Sequence, residues 1–518
     1  MSARKIVLVH PVSGDWERMR SAPFYPLNLI HASTLAGRAH AVEIVDLRRE
    51  VDWRARLRRA FDEPVLMVGI TSMSGTMLAS AIEVARFVRE QAAVPIVWGG
   101  MHATLMPDQT AADPLVDAVV VADGECILAE VAERVAHGAP IAGTPGTLAR
   151  DASGVVVRGP EAVLPDLDEL PEPNFELVPV RSYMPHWDGA PTLSLESARG
   201  CPRPCTFCYN TALNAGRFRM LSAERTVARV ERLVRRHAPG GLYFVDDNFF
   251  LDVPRAVAIG EGIARTGVAW QVQGADIPSL TRIDDPTLAT LARTGLKRIS
   301  IGIESGSPRI RKRMKKSASV ERVKREVARF AKHPIVLYCS FFVGSPTETV
   351  EDVRETIELA LELQDLNPNF RNSPFYTYLP LPGTEMLDDA VAAGHSSPTT
   401  LEGWSRLTFD MESAIGGVTW PGALTRAETK AIYFASSCVD RKSRDYGLPR
   451  LAAALIELYR PIARWRLKHF RLGFMVELLG YRVVHALWMA SESLRRRRAS
   501  AARGREVAPA LVATQPAA

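Results

Sequence analysis

Six cysteines in 518 residues are too few for a disulfide framework, and no export signal accompanies them, so a disulfide-stapled secreted fold is not expected. The opening MSARKIVLVHPVSG has an apolar run too brief for a signal segment, and it ends at a proline. No uninterrupted apolar stretch reaches membrane-spanning length, and a cytoplasmic location is expected. The first third lacks G-x-G-x-x-G, which disfavours dinucleotide binding. A net charge of +6 is modest for this length, and neither it nor the aromatic spacing presses for a nucleic-acid partner. What remains is an ordinary globular composition, 47% hydrophobic and 24% charged, long enough for two or three domains.

Three of the six cysteines stand in one run, Cys201-Pro-Arg-Pro-Cys205-Thr-Phe-Cys208. A structural zinc site closes on four ligands, and no second Cys or His pair follows to complete a ribbon. Cys126, Cys339 and Cys438 are scattered and read as small buried side chains. Three thiolates on a cubane [4Fe–4S] cluster would leave one iron open, whereas electron-transfer clusters usually take four. The C-x3-C-x2-C run resembles the radical S-adenosylmethionine (SAM) superfamily, in which SAM chelates the open iron. Phe207 matches that family's aromatic residue before the third cysteine. The resemblance implies that Cys201, Cys205 and Cys208 hold the cluster and that Phe207 lies against SAM.

Residues 1–150 alternate β-branched runs (Lys5–His10, Val42–Asp46, Val65–Thr71, Pro95–Gly99, Ala118–Ala122) with helical stretches such as Asn28–Gly37 and Thr76–Gln91. That alternation predicts a doubly wound, Rossmann-like parallel sheet, whose ligand lies at the carboxyl ends of the strands. Small polar residues collect there: Thr71, Ser72, Ser74 and Gly75; Gly99, Gly100, His102 and Thr104; Gly124 and Glu125. The wording GG-x-H-x-T and a later GE resembles the cobalamin-binding domain in front of one radical SAM subgroup. The resemblance assigns all ten residues to cobalamin. The D-x-H-x-x-G motif of cobalt-ligating histidines is absent, which leaves His102 as either a cobalt ligand or a loop histidine bonding backbone or the corrin periphery.

Residues 151–186, with LPDLDELPEPNFELVP, resemble that subgroup's ordered, extended connector. From 187 to 405 the alternation resumes. Six strands (Thr192–Glu196, Leu242–Asp246, Trp270–Gln273, Arg298–Ile303, Ile335–Phe342, Pro374–Tyr378) separated by helices predict a partial (β/α)6 barrel, with chemistry at the strand carboxyl ends. The cysteine run follows the first strand. By resemblance, Asp246 and Asp247 at the second strand end hold the SAM amino group. Glu304 and Ser305 at the fourth contact its ribose or methionyl end.

A helical carboxyl-terminal segment is expected over 406–499, opened by a capping box at Thr425 and Glu428. Residues 500–518 read as a disordered tail. Arg460, Arg464, Arg466, Lys468, Arg471 and Arg482, then Arg495–Arg498, form a basic face. The plain reading is a helical cap over the barrel mouth; the sharper one is membrane-peripheral contact with anionic lipid.

The resemblance to cobalamin-dependent radical SAM enzymes implies three cofactors: a [4Fe–4S] cluster, SAM and cobalamin. It also implies an external electron donor of flavodoxin or ferredoxin type and a small-molecule substrate. The leading expectation is methylation of an unactivated carbon in a specialised metabolite or lipid. The alternative is a cyclase or ring-rearranging enzyme without methyl transfer. A tRNA methylthiotransferase would need a second cysteine trio in the amino-terminal domain, where only Cys126 stands. A cofactor carrier would not need the SAM-contacting strand ends.

Overall fold

In a computed structural model the chain is described over residues 4–14, 17, 22–407, 424–440, 450–473 and 477. Arg482, Arg495–Arg498 and the tail lie outside these. Two seven-stranded sheets, one after the other, organise the chain.

The first sheet comprises β1 (Lys5–His10), β2 (Ala41–Asp46), β3 (Val65–Thr71), β4 (Ile96–Gly99), β5 (Ala118–Val120), β6 (Thr147–Arg150) and β7 (Val156–Arg158), in the order β2-β1-β3-β4-β5-β6-β7. Pairing is parallel through β5, while β6 and β7 are antiparallel. Ile6–Val9 and Leu66–Val68 are buried because helices cover both faces, which is why these strands read as continuous apolar runs. The order reverses between β1 and β3, the switch point where a doubly wound sheet opens a crevice. The sheet runs on past residue 150. Asp151 turns the β6–β7 hairpin by accepting from the N–H groups of Ser153 and Val155.

The second sheet is a curled half-barrel. A short strand β8 (His186–Trp187) pairs antiparallel with β9 (Ala190–Leu195). A two-stranded ribbon, β10 (Ala198–Arg199) and β11 (Arg219–Met220), brackets the cysteine run. Then come β12 (Gly241–Phe244), β13 (Ala269–Ala275), β14 (Leu296–Glu304), β15 (Val336–Val343) and β16 (Phe370–Thr377). The order β16-β15-β14-β13-β12-β9-β8 makes six neighbouring parallel strands. The helices Ala223–His237, Val253–Ala264, Asp285–Arg293, Val320–Phe330 and Val350–Leu366 follow successive strands. Each carries a side-chain N-cap, from Ser222, Asp252, Asp284, Ser319 and Thr349 in turn.

A half-barrel leaves an edge at β16. Helix Arg426–Val439, opened by the Thr425–Glu428 capping box, covers it. Ser436 Oγ accepts the Phe375 N–H, and Asn372 donates to the Ser436 carbonyl. The segment expected to cap the barrel mouth therefore lies along its open edge, where unpaired strand groups need partners. Helix Arg450–Lys468 packs beside it. Its basic face is partly neutralised from within, since Arg460, Arg464 and Arg466 pair with Glu457, Asp365 and Glu477. Among the described residues no helix is long and apolar enough to cross a membrane.

Candidate functional site

The cysteine run leaves β10 and is anchored on several sides. Gly200 donates its N–H to Asp247 Oδ2 at 2.8 Å. Its φ of +86° suits glycine, and an added Cβ would lie 2.0 Å from the Arg217 carbonyl oxygen. Arg203 pairs with Asp276 at the end of β13. The Thr206 hydroxyl donates to the Arg313 carbonyl at 3.1 Å, and the Thr206 carbonyl accepts from Met386 N–H at 2.9 Å. A loop held from two strand ends and two helices has little freedom.

Cys201, Cys205 and Cys208 are free thiols, each partly exposed. Burial raises all three above the ordinary thiol range, Cys208 to about 12, while the nearby Lys316 ammonium pulls Cys205 down. Among the described residues no three acidic, histidine or cysteine side chains converge on one point as a single-ion site requires. Asn248 Nδ2 lies 3.9 Å from Cys201 Sγ.

Four further strand-end residues were expected here, and they divide. Asp247 is exposed at the mouth. Asp246 is 1% exposed, and its two oxygens accept the N–H and hydroxyl of Ser197 at 2.7 and 2.5 Å. Buried in this way, it braces the β9–β10 corner. Glu304 ends β14 at a bulge in its pairing with β15, with a φ of +70°. A non-glycine residue held there stores strain that the surroundings must impose. Ser340 donates to its Oε2 at 3.2 Å, and Lys316 Nζ lies 3.6 Å from Oε1. Ser305 is fully buried between Thr356 Oγ1 and the Ser307 N–H, where its hydroxyl ties the strand end to the following helix.

Phe207 packs on Phe342 with ring centroids 5.2 Å apart, and Lys316 Nζ sits 5.3 Å from its ring centre. Lys316 is the residue that sequence reasoning missed. It stands in the run Arg311-Lys312-Arg313-Met314-Lys315-Lys316, which composition reads as a solvated face. Yet its side chain is only 15% exposed, and it donates to the Gly302 carbonyl at 2.8 Å.

At the first sheet, the small residues of the strand ends brace one another. Asn28 donates to Thr71 Oγ1, the Ser72 N–H and hydroxyl donate to the Gly99 carbonyl, and Thr104 Oγ1 accepts the Ala122 N–H. Gly100 has a φ of +87°, and a Cβ there would sit 2.7 Å from Thr71 Oγ1. Gly124 lies against Ala32, where a Cβ would approach to 3.2 Å, so its smallness serves helix packing. Glu125 is 3% exposed and pairs with Arg199 of the second domain. His102 is fully buried. Its Nδ1 meets Ser74 Oγ at 2.8 Å, its Nε2 has no hydrogen-bond partner among the described residues, and the Trp404 ring stands 6.0 Å away. Burial lowers it to about 4 and keeps it neutral. His102 is thus a buried, neutral imidazole bonded through one nitrogen, while Glu125 is paired with Arg199 and Gly124 is packed on Ala32.

The two strand-end regions abut. Leu105, in the helix Met101–Leu105 after β4, reaches Gly383 beside β16 and lies near the helix Tyr209–Leu213 that follows Cys208. A cavity beside the cysteine loop is lined by Cys205, Cys208, Thr211, Gly383 and Thr384.

The radical SAM superfamily model matches residues 195–360, and the B12 binding domain model matches residues 25–132. An uncharacterized methyltransferase of Pyrococcus horikoshii is 28% identical over 401 residues, 76% of this chain and 84% of its own. The cytidylyl-2-hydroxyethylphosphonate methyltransferase of Streptomyces wedmorensis is 24% identical over 464 residues, 78% of this chain and 85% of its own. In fold, the radical S-adenosylmethionine methyltransferase TsrM from Kitasatospora setae superposes with a TM-score of 0.65 at 18% identity, covering 90% of this chain and 99% of that one. The cobalamin-dependent S-adenosylmethionine radical enzyme OxsB superposes with a TM-score of 0.67 at 16% identity, covering 90% and 72%. The loop of three free thiols lies within the segment that matches the radical SAM superfamily, and the doubly wound domain it abuts is the segment that matches the B12 binding domain, so the chain carries a radical SAM domain with a B12-binding domain ahead of it.

Proposed function

We propose that this enzyme transfers a methyl group from SAM to an unactivated carbon of a small molecule, using a [4Fe–4S] cluster and cobalamin. The observation that carries the reading is the abutment of the cysteine loop on the strand-end edge of the B12-binding domain, which sets two cofactor sites side by side. The residues present suit both groups. Three free thiols in one anchored loop suit a cluster, in which each cysteine binds its own iron. The partly exposed edge formed by Gly99, Gly100 and Thr104, backed by the buried Thr71, Ser72 and Gly75, offers small side chains and backbone to a broad ligand.

When bound, the cofactors supply reductive cleavage of SAM to a 5′-deoxyadenosyl radical and delivery of a methyl group to the resulting carbon radical, chemistry beyond any side chain. The chain's own part is placement. In this reading Cys201, Cys205 and Cys208 hold the cluster. Asp247 receives the SAM amino group, and Lys316 offers a cation to its carboxylate. Glu304, held at its strained backbone, faces the ribose, and Phe207 walls the pocket. Thr71, Ser72, Ser74 and His102 support the cobalamin edge, directly or by bracing its loops.

Relatives named as methyltransferases favour methylation, among them the bacteriochlorophyllide d C-12(1)-methyltransferase of Chlorobaculum tepidum and the hopanoid C-3 methylase of Methylococcus capsulatus. The anaerobic magnesium-protoporphyrin IX monomethyl ester cyclase of Rubrivivax gelatinosus is also similar, 25% identical over 61% of this chain and 57% of its own, so ring closure is the second reading. A one-electron donor of flavodoxin or ferredoxin type completes the reaction. Peripheral membrane contact draws support from helix Arg450–Lys468, where Leu455, Leu458, Ile462 and Trp465 are all more than half exposed; co-sedimentation with anionic vesicles tests it.

The deciding experiment reconstitutes the protein anaerobically with iron, sulfide and cobalamin, then supplies SAM with a labelled methyl group and a panel of acceptors. Label in an acceptor together with S-adenosylhomocysteine supports methylation. Formation of 5′-deoxyadenosine without S-adenosylhomocysteine, whatever the accepted substrate, overturns it in favour of cyclisation.

A further inference from the structure

Arg199 and Arg219 sit directly opposite each other across the β10–β11 ribbon. Like charges in that relation weaken a strand pair, and this pair closes the stem of the cysteine loop. Both guanidiniums turn to one carboxylate, that of Asp123, which belongs to the other domain just beyond β5. Arg199 does more. Its Nη1 lies 2.8 Å from Asp123 Oδ2 and 2.8 Å from Glu125 Oε1, and its Nε donates to Glu196 at 2.8 Å. The Arg199 side chain is 12% exposed and that of Glu125 only 4%. At such depth, removing one partner leaves an uncompensated charge, far costlier than losing a surface pair. His31, on the helix Leu27–Ala36, reaches within 3.6 Å of Glu196, but burial and the neighbouring arginines hold it neutral, so it balances none of this charge. The stem of the cysteine loop is charge-balanced only while the B12-binding domain is docked on it.

We propose that Arg199 is a positioning residue that locks the cysteine loop to the B12-binding domain, so that the two cofactor sites keep one separation and orientation. The proposal rests on the functional reading above, which puts a cofactor on each side of this contact. The lever is short. Arg199 precedes Gly200, whose N–H is fixed by Asp247, and Cys201 follows directly. Movement at the domain contact passes to the first cysteine within two residues.

The test uses the full chain and variants from both sides of the contact, Arg199→Gln and Asp123→Asn, with Arg199→Lys as the charge-retaining control. Hydrogen–deuterium exchange without cofactors is the first readout. Residues 118–136 and 198–220 should exchange faster together, by about fivefold or more, in Arg199→Gln and Asp123→Asn, and less so in Arg199→Lys. Should Arg199→Gln not fold, Asp123→Asn carries the same test. Unchanged exchange, or an increase confined to one of the two segments, overturns the proposal.

The second readout is the pulsed electron paramagnetic resonance distance between the reduced cluster and cob(II)alamin in reconstituted protein. One narrow distance in the wild type should broaden in both neutral variants and narrow again in Arg199→Lys. A distance that stays narrow while exchange rises overturns positioning, because the loss would then be one of stability alone. Failure of the wild type to take up cobalamin counts against the functional reading instead, and the exchange result still decides the contact.

Discussion

Asp247 and Gly200 are joined by a 2.8 Å hydrogen bond that ties the end of β12 to the residue before Cys201. One carboxylate oxygen is spent on the loop, and the side chain remains exposed at the mouth. Its neighbour Asp246 has both oxygens spent on Ser197. Of the adjacent aspartates, one is exposed at the mouth and the other is buried against Ser197. Asp247→Asn keeps an acceptor for Gly200 but loses the charge, and should raise the KM for SAM about tenfold or more, ~1.4 kcal/mol. Asp246→Asn should change it less than about threefold. Equal effects would show the assignment to be wrong.

Asp246 also predicts a pH dependence. Burial raises it from 3.8 to about 7, so the folded chain holds a proton there that the unfolded chain has released. Its contribution to stability is complete below 3.8 and is lost as pH rises through 7. Asp246→Asn should therefore gain in melting temperature relative to the wild type as pH is raised from about 5 to about 8. A difference that stays constant over that range would contradict it.

Replacement of any one of Cys201, Cys205 and Cys208 by Ala should abolish 5′-deoxyadenosine formation and lower bound iron after reconstitution. Cys126→Ala, Cys339→Ala and Cys438→Ala should each leave the iron content unchanged, since these thiols stand apart from the loop. Iron analysis and chromatography of the nucleoside products check both.

For His102, the geometry predicts spectroscopic silence. His102→Gln should bind cobalamin with the same cob(II)alamin paramagnetic resonance pattern as the wild type, because His102 is enclosed between Ser74 and Trp404. Loss of a nitrogen splitting in the variant would restore the ligand assignment.

Trp404 is fully buried although it lies far along the chain from the helices it touches. Trp404→Ala should cost about 3–5 kcal/mol, as for other large-to-small core changes, and Trp404→Phe much less. Denaturant unfolding measures both, and an effect under ~1 kcal/mol for the alanine variant would mean that the contact does not hold the domain.

The regular parts of this fold were plain in the chain because burial on both faces leaves an unbroken apolar run. Lys5–His10 and Val65–Thr71 lie where those runs stand, and Thr76–Gln91 and Ala223–His237 match their periodicity end to end. β16 was less legible. The expected Pro374–Tyr378 catches only its second half, because its first residues, Phe370-Arg-Asn-Ser, are polar apart from Phe370. They are buried nonetheless, as Asn372 bonds Ser436 on a helix some sixty residues later and Arg371 faces Asp440 at that helix's end. The β6–β7 hairpin was missed because it continues a parallel sheet with antiparallel strands of only four and three residues.

In the site, the cysteine run was legible because spacing alone states how many thiolates are offered. Lys316 was not, since a cation inside a run of cations carries no sign of which member turns inward. Nor could the order of residues say which of Asp246 and Asp247, or of Glu304 and Ser305, would face the mouth; strand twist and the bulge after Gly302 decide that.

The return of the chain at Trp404 has a further consequence. Gly75 N–H bonds the Trp404 carbonyl, Gln109 bonds the Pro398 carbonyl, and Arg86 pairs with Glu402. Leu401 and Trp404 thereby complete the hydrophobic core of the first sheet from the far end of the second. The B12-binding domain is for this reason not a detachable cassette. Excised at residue 150 or 186, it would leave behind part of its own interior, and a graft onto another barrel would have to bring residues 398–407 with it.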